Sequence, residues 1–281
     1  MNTPTQHAGF AYDSLADDEY EFIRKLIYQH SRINLGENKK LLVMARLPNR
    51  VRANNLQSYK DYCALLASSK GPEELIHLID AIATNHTYFF REKVHFETLE
   101  TVFLPKIIES NEMTPIRAWC AGCSTGEESY SLAITLNQTL KQIPWQMDCS
   151  DISTFALEKA RKGYFNNQAV AKMDPKIQED YLSKQNKDNE TIFEITHELK
   201  KHMSFHKLNL LERPWPFHHK FNIIFCRNVM IYFDKETKQE LIEYLYDQLA
   251  PGGYLFIGLV ESLLGIKHKF KFVQPSVFQK T

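Results

Sequence analysis

From Ile116 onward, short apolar runs that close in turn residues alternate with segments of helical periodicity, and no other feature of the chain restricts its fold as much. IRAWCAG reads as a strand entering a Gly turn, EESYSLAITLNQTL as a helix, and WQMDCSD as a strand ending in a carboxylate. STFALEKARKGY reads as a helix, FNIIFCRN as a buried strand, KETKQELIEYLYDQL as a helix, and PGGYLFIGL as a turn followed by a strand. Such alternation buries both faces of a parallel sheet, so the expected class is a doubly wound α/β domain. The tail KFKFVQPSVFQK fits a terminal hairpin. The pattern breaks between Met173 and Leu211, where TIFEI and MSFHKL read as strands with no crossover helix between them. A small antiparallel β-subdomain inserted at about 173–208 is the expectation, with strands at Thr191–Ile195 and Met203–Leu208 and a connection at Gln185–Glu190.

Before this region the texture is purely helical. Phe22, Ile23, Leu26 and Ile27 recur at helical spacing behind Asp17, Asp18 and Glu19, carboxylates that favour a helix N-terminus. Further helices are expected at Asn38–Leu47, Ser58–Ser68 and Pro72–Ala83, and Pro48 should kink or end the basic stretch Lys39–Arg52. The organisation expected is an all-α N-terminal domain at 1–84, a linker at 85–112, and the α/β domain at 113–281.

Composition narrows the function. The 281 residues carry 34 Lys+Arg and 34 Asp+Glu, so no basic excess marks the chain as a nucleic-acid or membrane-surface binder. No apolar run reaches the ~18 residues of a membrane span. The first residues lack the basic head and apolar stretch of a secretory signal. Five cysteines suit a reducing compartment, and a cytoplasmic protein is expected. Cys120-x-x-Cys123 has no second pair to complete a zinc site, and His202, His206, His218 and His219 lack ligand spacing, so no metal is expected and these histidines read as surface or loop residues.

Three features converge on the carboxyl edge of the sheet, where ligands of such folds bind. The turn Ala121-Gly122-Cys123-Ser124-Thr125-Gly126 leads into a helix headed by Glu127 and Glu128. It lacks the Lys of a phosphate loop, and its glutamates would repel a phosphate while tolerating a cationic ligand. A structural Gly turn is the plainer alternative. Asp151 closes the next strand, where an acid holds ribose hydroxyls; capping the helix near Ser153 is the alternative. Cys226-Arg227-Asn228 closes a third strand. A ligand with a ribose but no phosphate cradle suggests S-adenosylmethionine over a dinucleotide.

Asn85-His86-Thr87-Tyr88-Phe89-Phe90-Arg91-Glu92, then CAGCSTGEESYS, then FCRNVMIYFD, resemble the CheR family of chemoreceptor methyltransferases, and the similarity extends over nearly the whole chain. The resemblance implies a Rossmann-like S-adenosylmethionine-dependent domain that methylates receptor glutamates and releases S-adenosylhomocysteine. It also implies cofactor contacts from Asn85, Thr87, Arg91, Glu128, Asp151, Asn209, Leu210, Arg227 and Asn228, with Arg91 and Tyr232 acting on the acceptor. A buried ion pair and a packed aromatic are the alternatives for these last two. Where the family commonly has Pro after the paired glutamates, this chain has Ser129; where it commonly has Gly-His-Ser-Glu, this chain has Gly258-Leu259-Val260-Glu261. A binding module that holds the cofactor without turnover is the rival class, opposed by the intact Arg91, Asp151, Asn228 and Tyr232.

For partners, Lys39, Lys40, Arg46, Arg50 and Arg52 fall in one stretch without acids, suited to docking on an acidic receptor helix bundle. A receptor tail peptide adding a strand to the β-subdomain is expected to bind weakly or not at all, because Gln185–Glu190 lacks glycine.

Overall fold

The computed structural model describes residues 14–83, 86–110, 115–187 and 190–281. The chain divides into two compact units, Met1–Thr84 and Asn85–Thr281.

Among the described residues the first unit is helical: α1 (Asp17–Ser31), α2 (Lys40–Arg46), α3 (Pro48–Ala53), α4 (Tyr59–Leu66) and α5 (Gly71–Ile82), with a 3-10 turn at Glu37–Lys39. Glu19 accepts the Ala16 N–H at 2.8 Å and so closes the first turn of α1. Pro48 has no N–H to continue α2, which ends at Arg46, and serves instead as the first residue of α3. Ile23, Ile27, Val43, Leu47, Val51 and Leu78 form the core. One carboxylate enters it. Glu74 receives Arg50 Nε at 2.9 Å, Arg50 Nη2 at 2.7 Å and the Tyr62 hydroxyl at 2.8 Å. Burial disfavours its charge, but Arg50, Asn54 and Tyr62 outweigh that and hold the carboxyl below its ordinary range. Arg46 Nη1 meets the carbonyls of Ile82 at 2.5 Å and Ala83 at 3.1 Å, satisfying the C-terminal end of α5.

The second unit begins with α6 (Val94–Thr98) and α7 (Leu104–Ser110), joined by a π-helical turn. There follow β1 (Ile116–Ala121), α8 (Glu127–Leu140), β2 (Trp145–Asp151), α9 (Thr154–Lys162), β3 (Tyr164–Asn166), α10 (Asn167–Val170), α11 (Pro175–Tyr181), β4 (Leu182–Lys187), β5 (Glu190–Ile195), α12 (His197–Lys200) and β6 (Met203–Lys207). The chain closes with β7 (Phe221–Phe225), a 3-10 turn (Met230–Tyr232), α13 (Lys235–Gln248), β8 (Leu249–Phe256), β9 (Lys271–Gln274) and β10 (Val277–Gln279). Seven strands form one sheet in the order β6-β2-β1-β7-β8-β10-β9. The first five are parallel, and the β9–β10 hairpin adds antiparallel strands at the edge. The central strands are buried on both faces, β7 at all five positions.

The small antiparallel sheet exists, with different membership from that expected. Its order is β3-β5-β4, so Tyr164–Asn166 supplies a strand whose first residue closes the segment read in the sequence as a helix. Gly163, at φ +65°, stops α9 and releases that strand. Met203–Lys207 lies in the large sheet, parallel to β2 from Met147↔Met203 to Asp151↔Lys207. The four-residue α12, too short for periodicity to reveal, separates it from β5. The insert is thus carried within the crossover from β2 to β6. Gln185 and Asn186, expected in a loop, pair with Ile192 and Thr191.

Candidate functional site

The sheet order turns at β1, whose neighbours β2 and β7 are reached by crossovers running in opposite directions. The strand ends splay apart at such a point and leave a crevice along the carboxyl edge. The turn after β1 is built for close approach. Gly122 sits at φ +85°, and a Cβ there would lie 2.4 Å from Val229 Cγ2. Gly126 sits at φ +106° against the Ala160 backbone, 3.1 Å away. Only glycine takes these conformations without strain. Ser129, the departure from the commoner Pro, donates its hydroxyl to Gly126 O at 2.9 Å and stays buried.

Asp151 binds this turn to its own. Its Oδ2 accepts the Ser124 N–H and its Oδ1 the Ser153 N–H, both at 2.8 Å. It is not the cap of α9: Ser153 is, accepting the Ala156 N–H at 3.1 Å. Each carboxylate oxygen can accept more than one hydrogen bond, so Asp151 can order both loops and still present an acceptor edge to vicinal hydroxyls. Beyond β6, the Leu208 N–H reaches Asp151 O at 3.0 Å, which puts Asn209 and the buried Leu210 beside the Asp151 strand end. Asn209 shapes its turn by accepting the Leu211 N–H at 3.1 Å and donating to Glu212 at 3.0 Å.

Beneath the end of β7 lies an ion-pair network. Arg227, with no exposed side-chain surface, places Nη1 2.8 Å from Glu128 Oε2 and Nη2 3.0 Å from Glu92 Oε2. Nη2 also reaches the Arg91 carbonyl at 2.5 Å, and the guanidinium lies over the Phe96 and Phe225 rings. Arg227 and Glu128, both expected among the cofactor contacts, are buried side chains joined to each other. Burial pushes the Glu128 carboxyl up despite the attraction of Arg227. For Glu92 burial again works against the charge, but the Leu259 amide, Arg227 and Asn228 prevail, and its carboxyl stays below the ordinary range. Asn228 is left-handed at φ +59°. Its Nδ2 donates to Glu92 Oε1 at 3.3 Å and its N–H to Glu261 Oε2 at 2.9 Å. Glu261 also takes the Gly258 N–H at 2.6 Å and the Ile231 N–H at 3.2 Å, while burial raises its carboxyl.

Sequence reasoning did not single out Glu92 and Glu261. The one signal for them was their place at the ends of the two quoted segments, after Arg91 and after Gly258-Leu259-Val260. The Arg91 side chain turns back to donate to His86 O at 2.8 Å, in a segment where Phe90 and Glu92 both take positive φ. Thr87 is half-buried, and Tyr232 closes the 3-10 turn, half-buried, next to Ile231. Asn85 lies outside the described residues. His206 and His219, read as surface or loop residues, both meet the Asp148 carboxylate, at 2.7 and 3.1 Å, and tie β2 to β6 and to the loop that leads into β7.

Most of the chain matches the two parts of one family. Residues 18–83 match the all-alpha domain of CheR methyltransferase, and residues 85–278 match its SAM-binding domain. The chain belongs to the CheR methyltransferase family. It is 36% identical over 274 residues to the chemotaxis protein methyltransferase of Borreliella burgdorferi, covering 95% of each chain. With the Escherichia coli chemotaxis protein methyltransferase it shares 35% over 267 residues, covering 94% of this chain and 91% of that one. With chemotaxis protein methyltransferase 2 of Pseudomonas aeruginosa it shares 33% over 279 residues, covering 99% and 98%. It is thus a methyltransferase whose cofactor is S-adenosylmethionine. The residues at the strand ends fit that group: an acid for ribose hydroxyls at Asp151, and carboxylates rather than cations heading α8, where a phosphate would be repelled and a sulfonium is not. Among the described residues no helix is long and apolar enough to cross a membrane.

Proposed function

We propose that the chain methylates glutamate side chains of methyl-accepting chemotaxis receptors, making it a protein-glutamate O-methyltransferase. The observation that carries this is the continuous match, over more than nine-tenths of both chains, to relatives named for chemotaxis methylation. Bound S-adenosylmethionine supplies a methyl group already activated by its sulfonium. An acceptor glutamate, with a free pKa of ~4.3, is ionised at neutral pH and needs no strong base to become a nucleophile. What remains for the protein is in-line placement and exclusion of water. In this reading Asp151 holds the ribose, and Asn209 and Leu210 lie against the adenine. Asn85, Thr87 and Asn228 bind the cofactor directly, and Glu128 and Arg227 support the site from below. Arg91 presents a planar fork of donors to the acceptor carboxylate, and Tyr232 offers a hydroxyl near the transferred methyl.

Docking is assigned to the basic helices of the first unit. Arg46 and Arg50 are committed to Ile82, Ala83 and Glu74 within that unit, and Lys40 pairs with Asp17. Lys39 and Arg52, both exposed, are therefore the stronger contributors to receptor contact. The reaction is tested with labelled S-adenosylmethionine and receptor-bearing membranes. Label on the receptor that base releases as methanol, the product of methyl-ester hydrolysis, is the expected result, and stable or absent label removes the proposal.

A further inference from the structure

The turn after β8 holds Leu259 and Val260 outward. Glu261 folds back beneath it to accept the Gly258 and Asn228 amides at 2.6 and 2.9 Å, and the Leu259 N–H is fixed to Glu92 at 3.0 Å. A Cβ at Gly258 would come within 2.5 Å of Asn228 Nδ2, so this turn and the turn after β7 are in close contact. Pinned from below, the two side chains cannot retreat into the core. Leu259 is 48% exposed and Val260 76%. Ile231, whose N–H is bound by the same Glu261 at 3.2 Å, is 47% exposed and adjoins Tyr232. Three aliphatic side chains thus stand in solvent around one carboxylate-pinned junction, and the buried face of that junction holds Asn228. Scattered exposed apolar residues are ordinary, but a rigid group of them bordering a binding crevice marks a contact surface.

We infer that Ile231, Leu259 and Val260 form an apolar rim that receives the acceptor segment and selects glutamates flanked by aliphatic side chains within one helical turn. The inference rests on the receptor-glutamate reading above. The occupant follows from continuity: a chain delivering its carboxylate to Tyr232 passes over the residue beside it, and a rim without charge gains from aliphatic neighbours and gains nothing from polar ones. Burying one or two methyl groups discriminates by about 10- to 200-fold in rate constants.

The test uses the full chain with two receptor fragments of matched helicity. One carries aliphatic residues three and four positions from the acceptor glutamate, and the other carries serine there. The wild-type protein should favour the aliphatic fragment by about tenfold in kcat/KM. In L259S/V260S, and to a smaller degree in Ile231→Ser, that ratio should fall toward one, with calorimetric affinity for S-adenosylmethionine unchanged. Methylation of both fragments at one ratio by wild type and variant overturns the rim assignment alone. Methylation of neither by the wild type, with the cofactor still bound, overturns the receptor-glutamate reading and the rim with it.

Discussion

Arg227 Nη1 lies 2.8 Å from Glu128 Oε2 in an ion pair closed to solvent, joining the end of β7 to the first turn of α8. Two of the three motifs that carry the family resemblance thus meet through their buried members, and Glu92 of the third joins the same guanidinium at 3.0 Å. Removing one partner strands the other charge, which costs about 3–5 kcal/mol. Arg227→Ala should therefore lower unfolding stability by an amount in that range, read as a shift in urea midpoint at constant slope. The double variant with Glu128→Gln should recover part of the loss. A fully stable single variant would show that the pair is not desolvated.

Asp151 orders two loops and is assigned the ribose, and two substitutions separate these duties. Asp151→Ala removes the acceptors for Ser124 and Ser153 as well as for the cofactor. Hydrogen bonds to a charged group contribute ~1.5–3 kcal/mol, so affinity for S-adenosylmethionine should fall more than tenfold by calorimetry. Asp151→Asn keeps one acceptor oxygen and should lose less. Equal affinity in all three proteins would take Asp151 out of the cofactor site.

His95 is 1% exposed, its Nδ1 lies 3.5 Å from Glu92 Oε2, and among the described residues neither ring nitrogen has a hydrogen-bond partner. Burial, then the nearby Arg227, lower its pKa to about 4. The unfolded chain binds this proton first, near pH 6.5, so the contribution is fully present above that pH and is lost as pH falls toward 4. The shift corresponds to roughly 3 kcal/mol. Glu92, held low, adds loss of the same sign at still lower pH, whereas Glu128 and Glu261, held high, act in the opposite direction. His95→Leu should flatten the stability profile between pH 6.5 and 4. An unchanged slope would assign the acid sensitivity elsewhere.

Catalysis is assigned to Arg91 and Tyr232. Arg91→Ala should reduce turnover by at least two orders of magnitude if its fork aligns the acceptor, since misplacement alone costs about 10²-fold. Tyr232→Phe should lower kcat with the fold retained, because the half-buried ring keeps its packing and loses one hydroxyl. Wild-type kcat in both variants would place the acceptor elsewhere along the carboxyl edge.

The parallel core was readable because its strands are short apolar runs between clear turns, and each long helix carries a periodic face. What was not readable lay below the length at which a pattern exists. The three residues of β3 and the four of α12 carry no periodicity, and without them Met203–Lys207 could not be assigned to β2 rather than to the insert. At the site, Asp151 and the Gly turn were visible because strand ends expose them in sequence. Glu92 and Glu261 were not, because a carboxylate that gathers backbone amides from distant turns leaves no local mark. The roles of Arg46 and Arg50 were hidden for the same reason: their partners lie 24 to 37 positions away.

That hidden pairing changes how docking is to be tested. Reversing Arg46 and Arg50 would break the helical unit before it informed on the receptor, since Arg50 neutralises a Glu74 that is 5% exposed. Arg50→Ala alone should destabilise that unit by several kcal/mol, as expected when a buried carboxylate loses its partner. Lys39→Glu with Arg52→Glu alters exposed charge and one exposed hydrogen bond, from Arg52 to Asn49, and should leave the thermal midpoint within a degree or two. If the basic helices meet an acidic receptor surface, this pair should raise KM for receptor several-fold and weaken its dependence on ionic strength, with cofactor affinity unchanged. An unaltered KM at low salt would move the docking surface off these helices.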